Sequence, residues 1–343
     1  MIFFKKYISI LLVLSLILAS FSACGAGNNA NNGVVPANNA VPAEPTEVRI
    51  GSLTGPTTIG LVKLLSDAEE GKTQNKYVSK IAGSADELTP LLIKGDLDVF
   101  VGPSNLAAVL YNKTEGKVQM AAVSTLGVLG LLTTDSSVRS WADLKGRTIY
   151  ATGKGSTPEY VLSHLLSKNG LQPGKDITIE FKSEPAEIVA MLKTGGDAAK
   201  KAVVMLPQPF ATAAQTQVEN LAVVMDLASE WDKLADGSRM VTACIMVRKE
   251  FAEAHPEAVA ALLKEYKASA EWVNQNVDKA AELTEKYINI KAGVAKKAIP
   301  LCSVVCITGS DMKAAAAPYL KVLFDANPAS VGGKLPADDF YLQ

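Results

Sequence analysis

The run Tyr150–Leu162 reads YATGKGSTPEYVL, two glycines around a lysine ahead of Ser156, Thr157, Pro158 and Glu159. Residues of these types can hold an anion against backbone N–H groups. A phosphate-cradling Walker loop needs Ser or Thr directly after Gly-Lys, and Gly155 stands there instead. A dinucleotide-binding turn needs a third glycine where this chain has Pro158. What remains is a β-rich stretch, TIYAT, then a glycine loop, then a helix capped by Ser156 or Thr157 with Pro158 and Glu159 in its first turn. Free N–H groups at such a helix start suit an anion or a polar oxygen. The same glycines also serve an ordinary strand-to-helix turn. If the loop binds, a side chain at Gly155 is expected to crowd it or to force a backbone angle that only glycine accepts.

Other chemistry is sparse. The two histidines are His164, within a helical pattern, and His255, before Pro256, and neither has metal-ligand spacing. Outside the leader the cysteines are Cys244, Cys302 and Cys306, an odd set that permits at most one bridge. Cys302 and Cys306 in LCSVVCIT lie too far apart to pair if that segment is extended, so buried, inert thiols are expected. No nucleophile with a base, metal motif or cofactor motif is visible, so the expectation is a chain that is not an enzyme and takes no metal or cofactor. A net charge of −1 over 343 residues excludes steering of a polyanion and leaves nucleic acid out as a partner.

The N-terminus gives an address. Lys5 and Lys6 precede an apolar run from Ile8 to Leu18, and small residues lead to Cys24. That is a bacterial signal peptide over residues 1–23. Phe21-Ser22-Ala23-Cys24 resembles a lipobox, with Phe where leucine is usual, and predicts lipidation at Cys24. Residues 24–45, rich in Asn, Gly, Ala and Pro, read as a disordered tether. The expected location is extracytoplasmic, held to the membrane only by the lipid.

From Val48 short β-rich runs alternate with helical ones, which implies βαβ units and mainly parallel sheets. Helical patterns cover 58–68, 85–94 and 105–111, then 158–168, 186–193 and 210–217, and finally 257–276 and 312–324. VQMAAVSTLGVLGLLTTD is too long for one strand and leaves one sheet for another. MVTACIMVRKEF returns. Lobe one is expected from residues 46–127 and 240–343 and lobe two from 128–239, with crossings near 125–132 and 240–247 forming a hinge and a ligand cleft between lobes.

Over most of residues 46–343 the chain resembles the substrate-binding lipoproteins of ABC importers, in the nitrate, sulfonate and taurine group that includes binders of the thiamine pyrimidine precursor. The carriers are GPTTIGLVKLL, LLIKGDLDVFVGPSNLAAVLYN, SWADLKGRTIYATGKGSTPEYVLSHLL, LPQPFATAA and VRKEFAEAHPEAVAALLKEY. The resemblance implies an α/β, type II periplasmic-binding-protein fold that closes on a small molecule and presents it to an ABC permease and its ATPase, as a monomer. Loops at strand ends then place Thr54, Gly55, Thr57, Thr58, Ser84, Pro103, Ser104, Asn105 and Thr125 in lobe one against Gly153, Lys154, Gly155, Ser156 and Thr157 in lobe two. Many relatives carry an acidic residue where Gln208 stands, so a neutral or anionic solute is expected here. Gln208 also fits a solvated turn between Pro207 and Pro209, and Lys154 fits a solvent-facing cation. Tyr111, Trp141 and Trp231 fit either stacking on a planar ligand or packing. A ligand-binding sensor lipoprotein and an enzyme on the same fold are the alternative functions.

Overall fold

The computed structural model describes residues 44–196, 199, 201–234 and 237–343. The signal peptide, Cys24 and nearly all of the tether lie outside the described residues.

The chain begins with β1 (Glu47–Leu53), α1 (Pro56–Ile59), α2 (Val62–Glu69), β2 (Lys76–Ala82), α3 (Ala85–Lys94), β3 (Val99–Pro103), α4 (Ser104–Lys113) and β4 (Val118–Thr125). A second series follows, with β5 (Leu129–Thr133), β6 (Thr148–Ala151), α5 (Thr157–Lys168), β7 (Thr178–Phe181), α6 (Pro185–Thr194), β8 (Val203–Pro207), α7 (Phe210–Gln217), β9 (Ala222–Asp226) and α8 (Leu227–Asp232). The last stretch is β10 (Ala243–Arg248), α9 (Lys249–Ala254), α10 (Pro256–Gln275), α11 (Val277–Ile288), α12 (Ala292–Ala298), β11 (Val304–Ile307) and α13 (Gly309–Ala326).

Local chemistry explains most boundaries. α3 starts at Ser84, whose N–H donates to Glu87 Oε1 at 3.3 Å in a capping box, and ends at Gly95 with φ 84°. The single helix expected over 58–68 is instead α1 and α2, broken at Gly60. Ser269 on α10 bridges that break, donating to the Gly60 carbonyl at 2.6 Å and accepting the Leu64 N–H at 3.1 Å. A side chain at Gly60 would meet the Tyr266 hydroxyl at 2.5 Å, so α10 packs directly on bare backbone there.

Two sheets result, ordered β11-β4-β10-β3-β1-β2 and β7-β6-β8-β5-β9. β1 is parallel to β2 and β3, while β10 lies antiparallel between β3 and β4. β6 is parallel to β7 and β8, and β5 is antiparallel to β8 and β9. The chain crosses from one sheet to the other at residues 126–128 and returns over 227–242. The second crossing ends earlier than expected, because Ala243–Val247 already pair in the centre of the first sheet. The same directions bring the C-terminal ends of β1, β3 and β4 and the start of β10 to one edge. They bring the ends of β6, β7 and β8 and the start of β5 to the edge of the other sheet. Buried apolar packing runs from lobe to lobe, joining Met120 and Val123 to Leu129, Trp231 and Tyr319.

Candidate functional site

Between those strand ends lies a cleft of about 720 Å³ with walls from both sheets. Its floor is where the crossings run: Thr125 ends β4, Thr242 precedes β10, and the Thr242 N–H donates to the Thr125 carbonyl at 3.0 Å. Open α/β sheets bind ligands at strand C-terminal ends, and α3, α4, α5 and α6 all begin at this cleft. Their N-terminal dipole ends favour negative charge.

Of the residues expected in the site, Thr54, Thr57, Ser84, Pro103, Thr125, Gly153, Lys154, Gly155 and Ser156 line the cleft. Gly55, Thr58, Ser104, Asn105, Thr157 and Gln208 do not, and most of their polar groups are spent on the fold. Thr58 Oγ1 donates to the Leu53 carbonyl at 2.7 Å, and Ser104 Oγ donates to the Val241 carbonyl. Asn105 Nδ2 donates to the Ser330 carbonyl at 2.8 Å, and Asn105 Oδ1 accepts from Thr157 Oγ1 at 3.0 Å. Gln208 Oε1 accepts the Thr212 hydroxyl at 2.8 Å and the Thr212 N–H at 3.3 Å, so it is held in the first turn of α7. Gly55, at φ 146°, stands with its missing side-chain position 3.9 Å from the Gln208 carbonyl of the facing lobe.

The glycine loop differs from the expectation of free donors. The Gly155 N–H donates to Glu159 Oε2 at 2.5 Å, the Ser156 N–H donates to the Gly153 carbonyl at 3.0 Å, and Ser156 Oγ donates to the same carbonyl at 2.7 Å. A carboxylate from the first turn of α5 already holds the position an incoming anion would take. Nor would a Cβ at Gly155 crowd the fold, since beyond the adjoining residues no atom lies within 4 Å of its position; the constraint there is φ +73°. Lys154 is exposed at the cleft wall.

Tyr111, Trp141 and Trp231 pack rather than line the cleft. The Tyr111 hydroxyl donates to Asp339 Oδ1 at 2.5 Å, Trp141 Nε1 to Glu230 Oε2 at 2.8 Å, and Trp231 Nε1 to Ser238 Oγ at 3.1 Å. His164 sits 5.1 Å from the Trp231 ring, and burial, aided by Lys168, pulls its pKa below the usual histidine value. The three cysteines are free; burial raises all three thiols, Cys306 to about 11. Among the described residues no three His, Cys, Asp or Glu side chains gather where a metal could bind.

Sequence reasoning missed Thr242, Thr152, Phe181 and Lys182, and also the apolar wall that includes Leu106, Val109 and Leu110 on α4. The spacing 106, 109, 110, 113 was visible as a helical face but had no mark distinguishing cleft from core. Two of the buried hydroxyls without any hydrogen-bond partner, Thr125 Oγ1 and Thr242 Oγ1, belong to residues of the cleft floor.

The fold is shared widely. An ABC transporter structure from Parabacteroides distasonis is 23% identical, with 87% of this chain and 99% of that chain covered at a TM-score of 0.70. The alkanesulfonate-binding protein SsuA from Xanthomonas axonopodis pv. citri, bound to MOPS, is 17% identical, with 86% and 96% covered at 0.67. The periplasmic nitrate-binding protein NrtA from Synechocystis PCC 6803 is 15% identical, with 73% and 69% covered at 0.57. At these identities the likeness establishes the type II periplasmic-binding-protein fold, with two α/β lobes and a two-crossing hinge. No curated protein matches the sequence. A family model described as "Menaquinone biosynthesis" matches residues 54–299, which include loops from both walls of the cleft. That family is enzymatic, and the match overturns the expectation of a chain that is not an enzyme. Covering most of the chain, the match places this protein in the menaquinone biosynthesis family.

Proposed function

We propose that this chain is an extracytoplasmic solute-binding lipoprotein, anchored through Cys24, which captures a small organic solute, anionic or neutral, in the interlobe cleft and passes it to an ABC permease. The observation that carries this reading is the cleft itself, about 720 Å³ at the strand ends of both sheets, a volume suited to an organic metabolite. The helix starts around it favour an anion or a polar oxygen. Lobes of residues 46–127 with 240–343, and of 128–239, are the proposed moving bodies. Family membership favours a second reading, in which the solute held in this cleft undergoes chemistry there.

Native mass spectrometry of the purified full chain tests the first reading. A retained solute of one per chain, lost when Leu106→Trp fills the cleft, is expected. Release of the same mass unchanged after prolonged incubation supports delivery, whereas conversion to a new mass supports the enzymatic reading. A retained solute that Leu106→Trp leaves in place would move the site elsewhere.

A further inference from the structure

Resting on the cleft as the ligand site, we infer that its ligand is an extended amphiphile with an uncharged oxygen at one end and an acidic group at the other. The floor defines the first end. Thr125 is 1% exposed, and neither its hydroxyl nor that of Thr242 has a partner, although backbone pairing holds the two residues side by side. Buried hydroxyls are normally bonded, so an unpaired couple at the base of a cleft calls for a group that completes them. Thr125 and Thr242, with the apolar Val128 and Leu129 beside them, make this floor, whereas the charged residues lining the cleft, Asp86, Lys113, Lys154 and Lys182, stand on helices and loops around it. No side-chain cation stands at the floor to pair a full negative charge, and the helix starts beside it suit a neutral polar oxygen as well as an anion, so a carbonyl, ether or hydroxyl oxygen fits best.

From the floor the cleft runs out between α3 and α4. Leu106, Val109 and Leu110 recur at helical spacing along one face of α4 and face the cleft with Thr89 and Ile93 of α3. Ile93 is 53% exposed, a large apolar side chain left open on the wall of a cavity. The same α4 stripe ends at Lys113, an exposed cation that no described acidic side chain pairs. α4 rises about 13 Å from Ser104 to Lys113. A hydroxyl floor, an apolar trough and a terminal ammonium thus succeed one another along a single track. An inorganic anion or a two-carbon sulfonate would leave most of the trough unfilled.

Calorimetry on the full chain tests this with 12-hydroxydodecanoate, dodecanoate, 1,12-dodecanediol, taurine and nitrate as probes, each below any micellar concentration. 12-Hydroxydodecanoate is expected to bind one per chain and at least a hundredfold more tightly than taurine or nitrate. Thr125→Val and Thr242→Val should each weaken it about tenfold and leave dodecanoate unchanged, the size of one lost hydrogen bond. Lys113→Gln should weaken both acids and spare the diol. Equal losses for dodecanoate and its hydroxylated form in the threonine variants would overturn the floor assignment, and taurine or nitrate binding as tightly would overturn the amphiphile. Thermal melts of each variant report whether the fold is intact. If no long probe binds while Leu106→Trp still expels a short retained solute, the ligand class fails and the cleft reading stands. If Leu106→Trp affects neither probe nor retained solute, the cleft reading fails as well.

Discussion

Glu159 changes the meaning of the glycine loop. Its carboxylate takes the Gly155 N–H, so the loop arrives with its own anion and offers Lys154 rather than a bare anion nest. Gly155 keeps its place through backbone angle, not through space: φ is +73° and the site of a Cβ is open. Gly155→Val is therefore expected to cost about 1–2 kcal/mol of stability, the penalty of a left-handed backbone for an L-residue, and Gly155→Asn much less, since Asn tolerates that region. Urea unfolding of the two variants reads the difference, and equal midpoints would show that the angle relaxes freely. The residue types of this loop were legible because a β-rich run stops and a helical period starts around Gly153–Ser156. What the residues do to one another was not legible, because Glu159 reaches back four positions only once the first turn of α5 exists.

At the scale of elements, the starts of α4 and α5 meet from opposite lobes. Thr157 Oγ1 donates to Asn105 Oδ1 at 3.0 Å, and both residues are fully buried. Thr157→Val keeps the shape and deletes the donor, leaving a buried amide oxygen unpaired, so stability should fall by about 1–3 kcal/mol. Thr157→Ser retains the hydroxyl and should lose less. If valine and serine variants unfold at the same denaturant concentration, the hydroxyl contributes nothing and the methyl carries the site. Helices α3 and α7 were readable to their end residues, because Ser84 and Gly95 bracket one and paired prolines precede the other. The α1–α2 break was not, since it depends on Ser269 and Tyr266 arriving from a helix some two hundred residues away. Thr242 escaped for the same reason: only the non-local placement of β10 between β3 and β4 sets it beside Thr125.

For the molecule as a whole, the alternation of β and helical runs sufficed to read two lobes and two crossings, whereas the distance between the lobes depended on contacts that no local pattern encodes. Those contacts reach the cleft mouth. A Cβ on Gly83, at the end of β2 in one lobe, would stand 2.2 Å from Glu184 Oε1 at the start of α6 in the other. The obstructing atom is the tip of a flexible side chain, so Gly83→Ala can be accommodated by a rotation of Glu184. An indole cannot: Gly83→Trp must occupy the space between the lobes and act as a wedge. The wild-type lobes are expected to approach when the cleft fills, which small-angle scattering records as a fall in radius of gyration with saturating 12-hydroxydodecanoate. In Gly83→Trp the radius should start larger and stay larger, with affinity at least tenfold weaker. The unfolding midpoint should stay near wild type, because position 83 is a half-buried loop residue outside the strand cores. The alanine variant controls for loss of the glycine backbone and should behave as wild type. Identical scattering from wild type and Gly83→Trp, with and without the probe, would show that the Gly83–Glu184 mouth is not where the lobes close.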